Sequence, residues 1–99
     1  MLIIMGTVRF PADKIKEAKS VMEAMIKGSR AEVGCITYNL AQDLLDPGLI
    51  HVSEAWESQE ALAGHSQTEH MKAWRTAGAG LGIGERNIKL YEASVLKVL

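Results

Sequence analysis

The sequence predicts an α+β domain of ferredoxin-like type, a βαββαβ chain with an antiparallel sheet, and three observations carry that reading. Apolar segments of strand length stand near both ends of the chain and in a hairpin at its middle. Helical periodicity separates the first strand from the hairpin and the hairpin from the last strand. The strands are apolar on both faces, although the helices can cover only one. The uncovered face is therefore expected to bury itself against a second copy, making the chain a homodimer.

Residues 2–10 are β-rich and apolar on both sides, which suits a central strand. Pro11 fits a first helical turn, where its missing N–H costs nothing, and Asp13 complements the positive helix end. Ile15, Ala18, Met22 and Met25 then recur at steps of three and four. Lys14, Lys16, Glu17, Lys19, Glu23 and Lys27 cover the other side, so residues 11–30 read as one amphipathic helix. Residues 34–42 and 49–56 read as a hairpin around the turn signal Asp46-Pro47-Gly48. Ser58 caps a short helix through Ala61 and Leu62. Ser66 with Glu69 forms a capping box that starts a further helix at Gln67. His70, Met71, Trp74 and Ala77 share a stripe on it. Gly78, Gly80, Gly82 and Gly84 then read as a flexible connector, a candidate lid, before a last strand over residues 87–98.

Residues 1–99 make one domain, which buries roughly two-thirds of the surface its unfolded chain exposes. That leaves little room for a deep cavity unless a partner subunit helps to close it. Hydrophobic residues at 47% and charged residues at 23% describe a globular chain rather than a disordered one. A net charge of −1 without a basic cluster argues against nucleic acid. The lone Cys35 cannot form an internal disulfide and, on a strand without an adjacent base, reads as an inert thiol. The apolar opening over residues 1–5 stops at Gly6, too short for a signal sequence or a membrane span. The cytosol is the expected location, with no membrane contact.

Two stretches are more specific. Ser29-Arg30-Ala31-Glu32-Val33-Gly34-Cys35-Ile36-Thr37-Tyr38 leaves the first helix, and Glu54-Ala55-Trp56-Glu57-Ser58-Gln59-Glu60-Ala61-Leu62-Ala63-Gly64-His65 leaves the third strand, followed by Ser66 and His70. Together they resemble the antibiotic biosynthesis monooxygenase family, in its "R-x-E-x-G-C-x-x-Y" and "W-x-s-x-e-a-l-x-x-H" segments. The resemblance implies a dimeric α/β barrel with a pocket between each subunit's sheet and helices. Better-known members oxidise quinols or polycyclic phenols with O₂ and no bound cofactor; others isomerise or fragment small metabolites, and others degrade haem. The haem-degrading branch uses an Asn on the first strand and a Trp ten residues before a helical His. Here the first strand carries Gly6 and Thr7, and Glu60 stands ten residues before His70, so haem degradation is disfavoured.

His65 and His70 are the candidate catalytic residues, because an imidazole titrates near neutrality and can take a proton from a phenol or quinol. Their spacing across the Ser66 break is not that of a helical metal pair, and no matching third ligand stands nearby, so no metal is expected. Tyr38 and Asn39 are candidate substrate contacts, although neighbours on a strand point to opposite faces and only one can line a pocket. Glu54 and Trp56 share a face; the carboxylate is either functional or paired, with Arg30 as its candidate partner. Trp56 and Trp74 offer flat walls to an aromatic ring and also suit the core, while Arg75 reads as solvent-exposed. The alternating glycines do not follow the spacing of a nucleotide loop, so no cofactor is expected. The sequence thus points to a cofactor-independent monooxygenase of a small phenolic or quinol compound. The alternatives are a dimeric binding domain without turnover, or an isomerase or lyase of a small oxygenated metabolite. A cavity reached by a His and a Tyr or Asn favours an enzyme; one filled by Met and Trp favours a binder.

Overall fold

Strand β1 (Leu2–Arg9) lies inside the sheet because it pairs on both edges, with β3 (Leu49–Trp56) and with β4 (Arg86–Glu92), in this computed structural model of all 99 residues. Strand β2 (Cys35–Gln42) pairs with β3, which gives the antiparallel order β2-β3-β1-β4. This is the split βαβ topology that the element order implies. Helix α1 (Ile15–Arg30) follows a 3₁₀ turn over Ala12–Lys14 capped by Pro11, so the helix expected over residues 11–30 starts four residues later. Helices α2 (Gln59–Ser66) and α3 (Glu69–Leu81) connect β3 to β4.

Alternation along the strands sorts their side chains onto two faces. Leu2, Ile4, Gly6 and Val8 share the helix-side face with Trp56, Glu54, Val52 and Ile50 of β3. Val8, Ile50, Val52 and Phe10 pack with Ala18 of α1 in one half of the core; Leu2, Tyr38 and Trp56 pack with Met25 in the other. The opposite face carries Ile3 and Met5 beside Ala55 and Tyr91, together with polar Thr7, Ser53, His51 and Lys89. It is therefore less apolar than the sequence pattern suggests.

Three further boundaries differ from the sequence reading. Ser66 does not cap the third helix: α2 runs on through His65, so Ser66 closes it and donates to the Ala63 carbonyl at 2.7 Å. Thr68 is the cap instead, its Oγ1 accepting from Met71 N at 3.3 Å. Gly78 and Gly80 lie inside α3, and only Gly82, with φ 76°, ends it. The connector is no loose lid. Gly84 N–H donates to Arg9 O at 2.8 Å, and Arg9 N–H donates to Glu85 O at 3.0 Å, which fastens it to the end of β1. The last strand stops at Glu92 rather than residue 98, because β1 runs out; Ala93 N–H makes the final contact, to Met1 O at 2.9 Å.

Gly6 permits the β1–β4 pairing. A Cβ at this position would stand 1.9 Å from the Asn87 carbonyl oxygen, and its φ is 155°. Backbone cannot yield as a side-chain tip can. Gly6→Ala should therefore detach β4 locally and cost at least about 2 kcal/mol in urea unfolding, with amide exchange accelerated in β4 before the other strands.

Candidate active site

A cleft of about 570 Å³ opens between the helix-side face of the sheet and helices α2 and α3. Most of its wall is apolar, built from residues such as Leu2, Ile4, Met71 and Ile88. Its polar groups are few: Tyr38, Glu54, Gln59, His65, Ser66, Arg75 and Arg86. A mostly apolar cleft with a small convergent polar set suits a small organic ligand.

His65 is the centre of that set. It sits in the last turn of α2, where an imidazole meets the carbonyl end favourably, and only 4% of it is exposed. Its ring packs 4.6 Å from Trp56 and 5.6 Å from Tyr38, centroid to centroid. Its Nδ1 lies 2.6 Å from Oε2 of Glu32, in the short loop between α1 and β2. The same oxygen lies 2.9 Å from Nε2 of His70. One carboxylate oxygen thus accepts from two imidazoles carried by two helices. With Nδ1–H donating to Glu32, a neutral His65 carries its lone pair on Nε2.

The two predicted histidines come together, with ring centroids 5.8 Å apart, but they are not equivalent. His70 does not line the cleft; its ring lies over α1, where a Cβ on Gly28 would stand 2.6 Å from its Nδ1. Glu32 was missed as a functional residue. It belongs to the first of the two family-like segments, but it precedes His65 by 33 positions and no local pattern joins them. The missing third ligand of the metal argument is this residue.

Among the other candidates, Tyr38 lines the cleft and is buried, and burial together with Glu54 pushes its hydroxyl well above the usual phenol range. It therefore acts as a donor. Asn39 faces the opposite side of the sheet, where its Oδ1 accepts from Arg30 Nη2 at 2.8 Å, so it is not a pocket residue. Glu54 lines the cleft without Arg30, which binds Tyr38 O and Asn39 instead; Glu54 Oε1 accepts from Trp56 Nε1 at 3.0 Å. Burial pushes the Glu54 carboxyl up, against the pull of the Trp56 N–H and of charge on His65. Trp56 is wholly buried and is a core anchor, not a wall. Trp74 is both, lining the cleft and meeting Phe10 edge to face at 5.9 Å. Arg75 is exposed as expected, yet it reaches the cleft, as does Arg86.

The family model described as antibiotic biosynthesis monooxygenase matches residues 1–77 of this chain. The chain belongs to that family. Among curated proteins, "Putative monooxygenase YcnE" of Bacillus subtilis is 24% identical over 81 residues, which cover 82% of this chain and 85% of that protein. An uncharacterised Synechocystis protein is 26% identical over 98 residues, spanning 99% of this chain and 67% of its own length. Among solved structures, one titled a "putative antibiotic biosynthesis monooxygenase" from Deinococcus radiodurans superposes with a TM-score of 0.90 at 24% identity, covering 100% of this chain and 98% of that one. The Pseudomonas aeruginosa protein PA3566 matches with a TM-score of 0.85 at 26% identity, over 95% of this chain and 94% of its own. The α+β, ferredoxin-like architecture is shared throughout.

Two outcomes follow from this geometry. In Gly28→Ala the new methyl must push the His70 ring off Glu32, while alanine improves the helix by about 1 kcal/mol. Stability should fall by no more than about 2 kcal/mol, and NMR of the imidazoles should show His70 altered and His65 still bonded. For Glu54, the folded carboxyl holds its proton more tightly than the unfolded one, so stability is full at low pH. It falls as pH rises above the ordinary value of 4.5 toward the raised folded value. Glu54→Gln keeps an acceptor for Trp56 Nε1 and should remove this loss. Urea unfolding should find the variant gaining on the parent protein as pH increases from about 4.5.

Proposed function

We propose that the cleft binds a small phenol or quinol and that His65, oriented by Glu32, removes its hydroxyl proton so that the anion reacts with O₂ without a bound cofactor. The observation that carries this reading is the 2.6 Å contact between His65 Nδ1 and Glu32 Oε2, which fixes the tautomer that leaves a basic Nε2 on a ring in the cleft wall. Arg75 and Arg86 line the same cleft and supply positive potential for the anion. Tyr38 provides a hydroxyl to orient an oxygenated ring, and Trp74 a flat wall. With a quinol, two electrons and two protons pass to O₂, giving quinone and hydrogen peroxide. With a phenol, one oxygen atom enters the ring and the other leaves as water, giving a quinone. The chain's share is to bind, deprotonate and shield the anion. Membership of the monooxygenase family and a cleft reached by His and Tyr support this over a binding domain.

One observation favours a second reading. Glu54, with its raised affinity for a proton, lines the same cleft as His65. A carboxyl and an imidazole in one cleft are the acid–base pair that enolisation of a small carbonyl compound needs, which is the isomerase alternative.

Oxygen uptake with a panel of hydroquinones, free of metal and flavin, tests the main reading. His65→Gln should lose at least about a hundredfold in turnover, Glu32→Gln at least about tenfold, and His70→Gln far less than either. Turnover unchanged in His65→Gln on a confirmed substrate would refute the assignment. Turnover of carbonyl isomers without oxygen uptake, lost in Glu54→Gln, would establish the second reading instead.

We also propose that the protein is a homodimer joined through the helix-free face. Met5 is 53% and Tyr91 42% exposed there, beside Ile3 and Ala55, and the apolar side chains of Val95, Leu96, Val98 and Leu99 extend from β4 without covering. Ile3→Lys would strand a charge in such an interface. Sedimentation equilibrium should find the parent protein dimeric and this variant monomeric at micromolar concentration; a monomeric parent would sink the proposal.

A further inference from the structure

We propose that Glu32 Oε2, His65 Nδ1 and His70 Nε2 form a reversible site for a divalent ion of the Zn²⁺ class, and that its occupation switches the active site off. The binding half stands on the donor geometry alone. The switching half rests on the assignment of His65 as the base.

Two imidazoles and one carboxylate are a recurrent donor set for Zn²⁺ and its neighbours, with water in the remaining position. The three donor atoms all lie within 4.8 Å of one another. Two of the spacings are 2.6 and 2.9 Å. Bond lengths of about 2.1 Å around a tetrahedral ion hold donors roughly 3.4 Å apart, so Glu32 retreats by less than about 1 Å while the two imidazoles draw together by up to about 1.4 Å. Glu32 stands in a loop, where a shift of that size is small. The ligands are half-hidden rather than sealed, with the side chains of His65, His70 and Glu32 exposed by 5%, 20% and 15%.

A second concavity, outside the active-site cleft, meets this cluster at Glu32. It is lined by Glu32 together with Glu57 and Glu60, and it carries no basic residue. Three carboxylates along one groove raise the local concentration of a cation and give the ion an approach that bypasses the substrate.

The consequence for His65 follows from tautomer bookkeeping. Without metal, the ring proton sits on Nδ1 and Nε2 carries the lone pair that takes the substrate proton. A metal on Nδ1 requires that lone pair at Nδ1, so the neutral ring holds its proton on Nε2 instead. The base facing the cleft becomes a donor. No net proton is released from the neutral ring, and no redox change is involved.

The test titrates the intact, chelator-treated protein with Co²⁺ and Zn²⁺, following visible absorption and calorimetry. One Co²⁺ per chain with the intense bands of a tetrahedral site, displaced by Zn²⁺, is expected. Glu32→Gln and His70→Gln, checked for fold by circular dichroism, should each weaken binding at least about tenfold. Absence of binding, or affinity unaltered in both variants, would overturn the site. Zn²⁺, which is redox-inert, should then suppress oxygen uptake by at least about tenfold in the parent protein, and chelator should restore it. Binding with turnover unchanged or increased would overturn the switch. Loss of the base assignment would appear separately, as turnover surviving in His65→Gln while the Co²⁺ titration stands.

Discussion

A single carboxylate oxygen holds the functional end of this molecule together. Oε2 of Glu32 accepts from His65 on α2 and from His70 on α3, and its own loop joins α1 to β2. Hydrogen bonds to a charged group contribute about 1.5–3 kcal/mol each, against about 1 for neutral pairs. Two of them converging on one atom set where α2 and α3 lie over the sheet. They also choose the tautomer of a nearly buried ring. Packing and chemistry therefore depend on the same contact.

The sheet prepares the other side of the cleft by alternation. Helix-side positions of β1, β2 and β3 supply apolar walls, interrupted by Tyr38 and Glu54, which are direct neighbours in register. Both groups are pushed toward their protonated forms, chiefly by burial. Both hold their protons more tightly than the free groups do, in the same cleft as His65.

Much of the fold was legible in the sequence because its determinants are local or periodic. The three-and-four spacing from Ile15 to Met25, the turn at Asp46-Pro47-Gly48 and the two-sided apolar β1 each state their structure within a few residues. The errors fall where two local signals compete. Ser66 and Thr68 are both competent caps, and only the length of α2 decides between them. Gly78 and Gly80 read as breakers, yet the helix continues through both because α3 has a sheet and α1 to pack on. The Glu54–Arg30 pairing failed because Arg30 is drawn to the Tyr38 carbonyl and Asn39 across the strand edge.

The sequence by itself determined the element order, the family, and which residues were able to do chemistry: His65, His70, Tyr38 and Glu54. Side-chain type and local spacing suffice for those statements. Only the tertiary structure decided that Glu32 joins the histidines, that His65 faces the cleft and His70 does not, and that Asn39 and Trp56 stand outside it. The histidine placements rest on contacts between residues 33 and 38 positions apart, whose directions are set by how helices seat on the sheet. Nothing in the intervening sequence encodes that angle; it emerges when the apolar faces of α1, α2 and α3 are buried together.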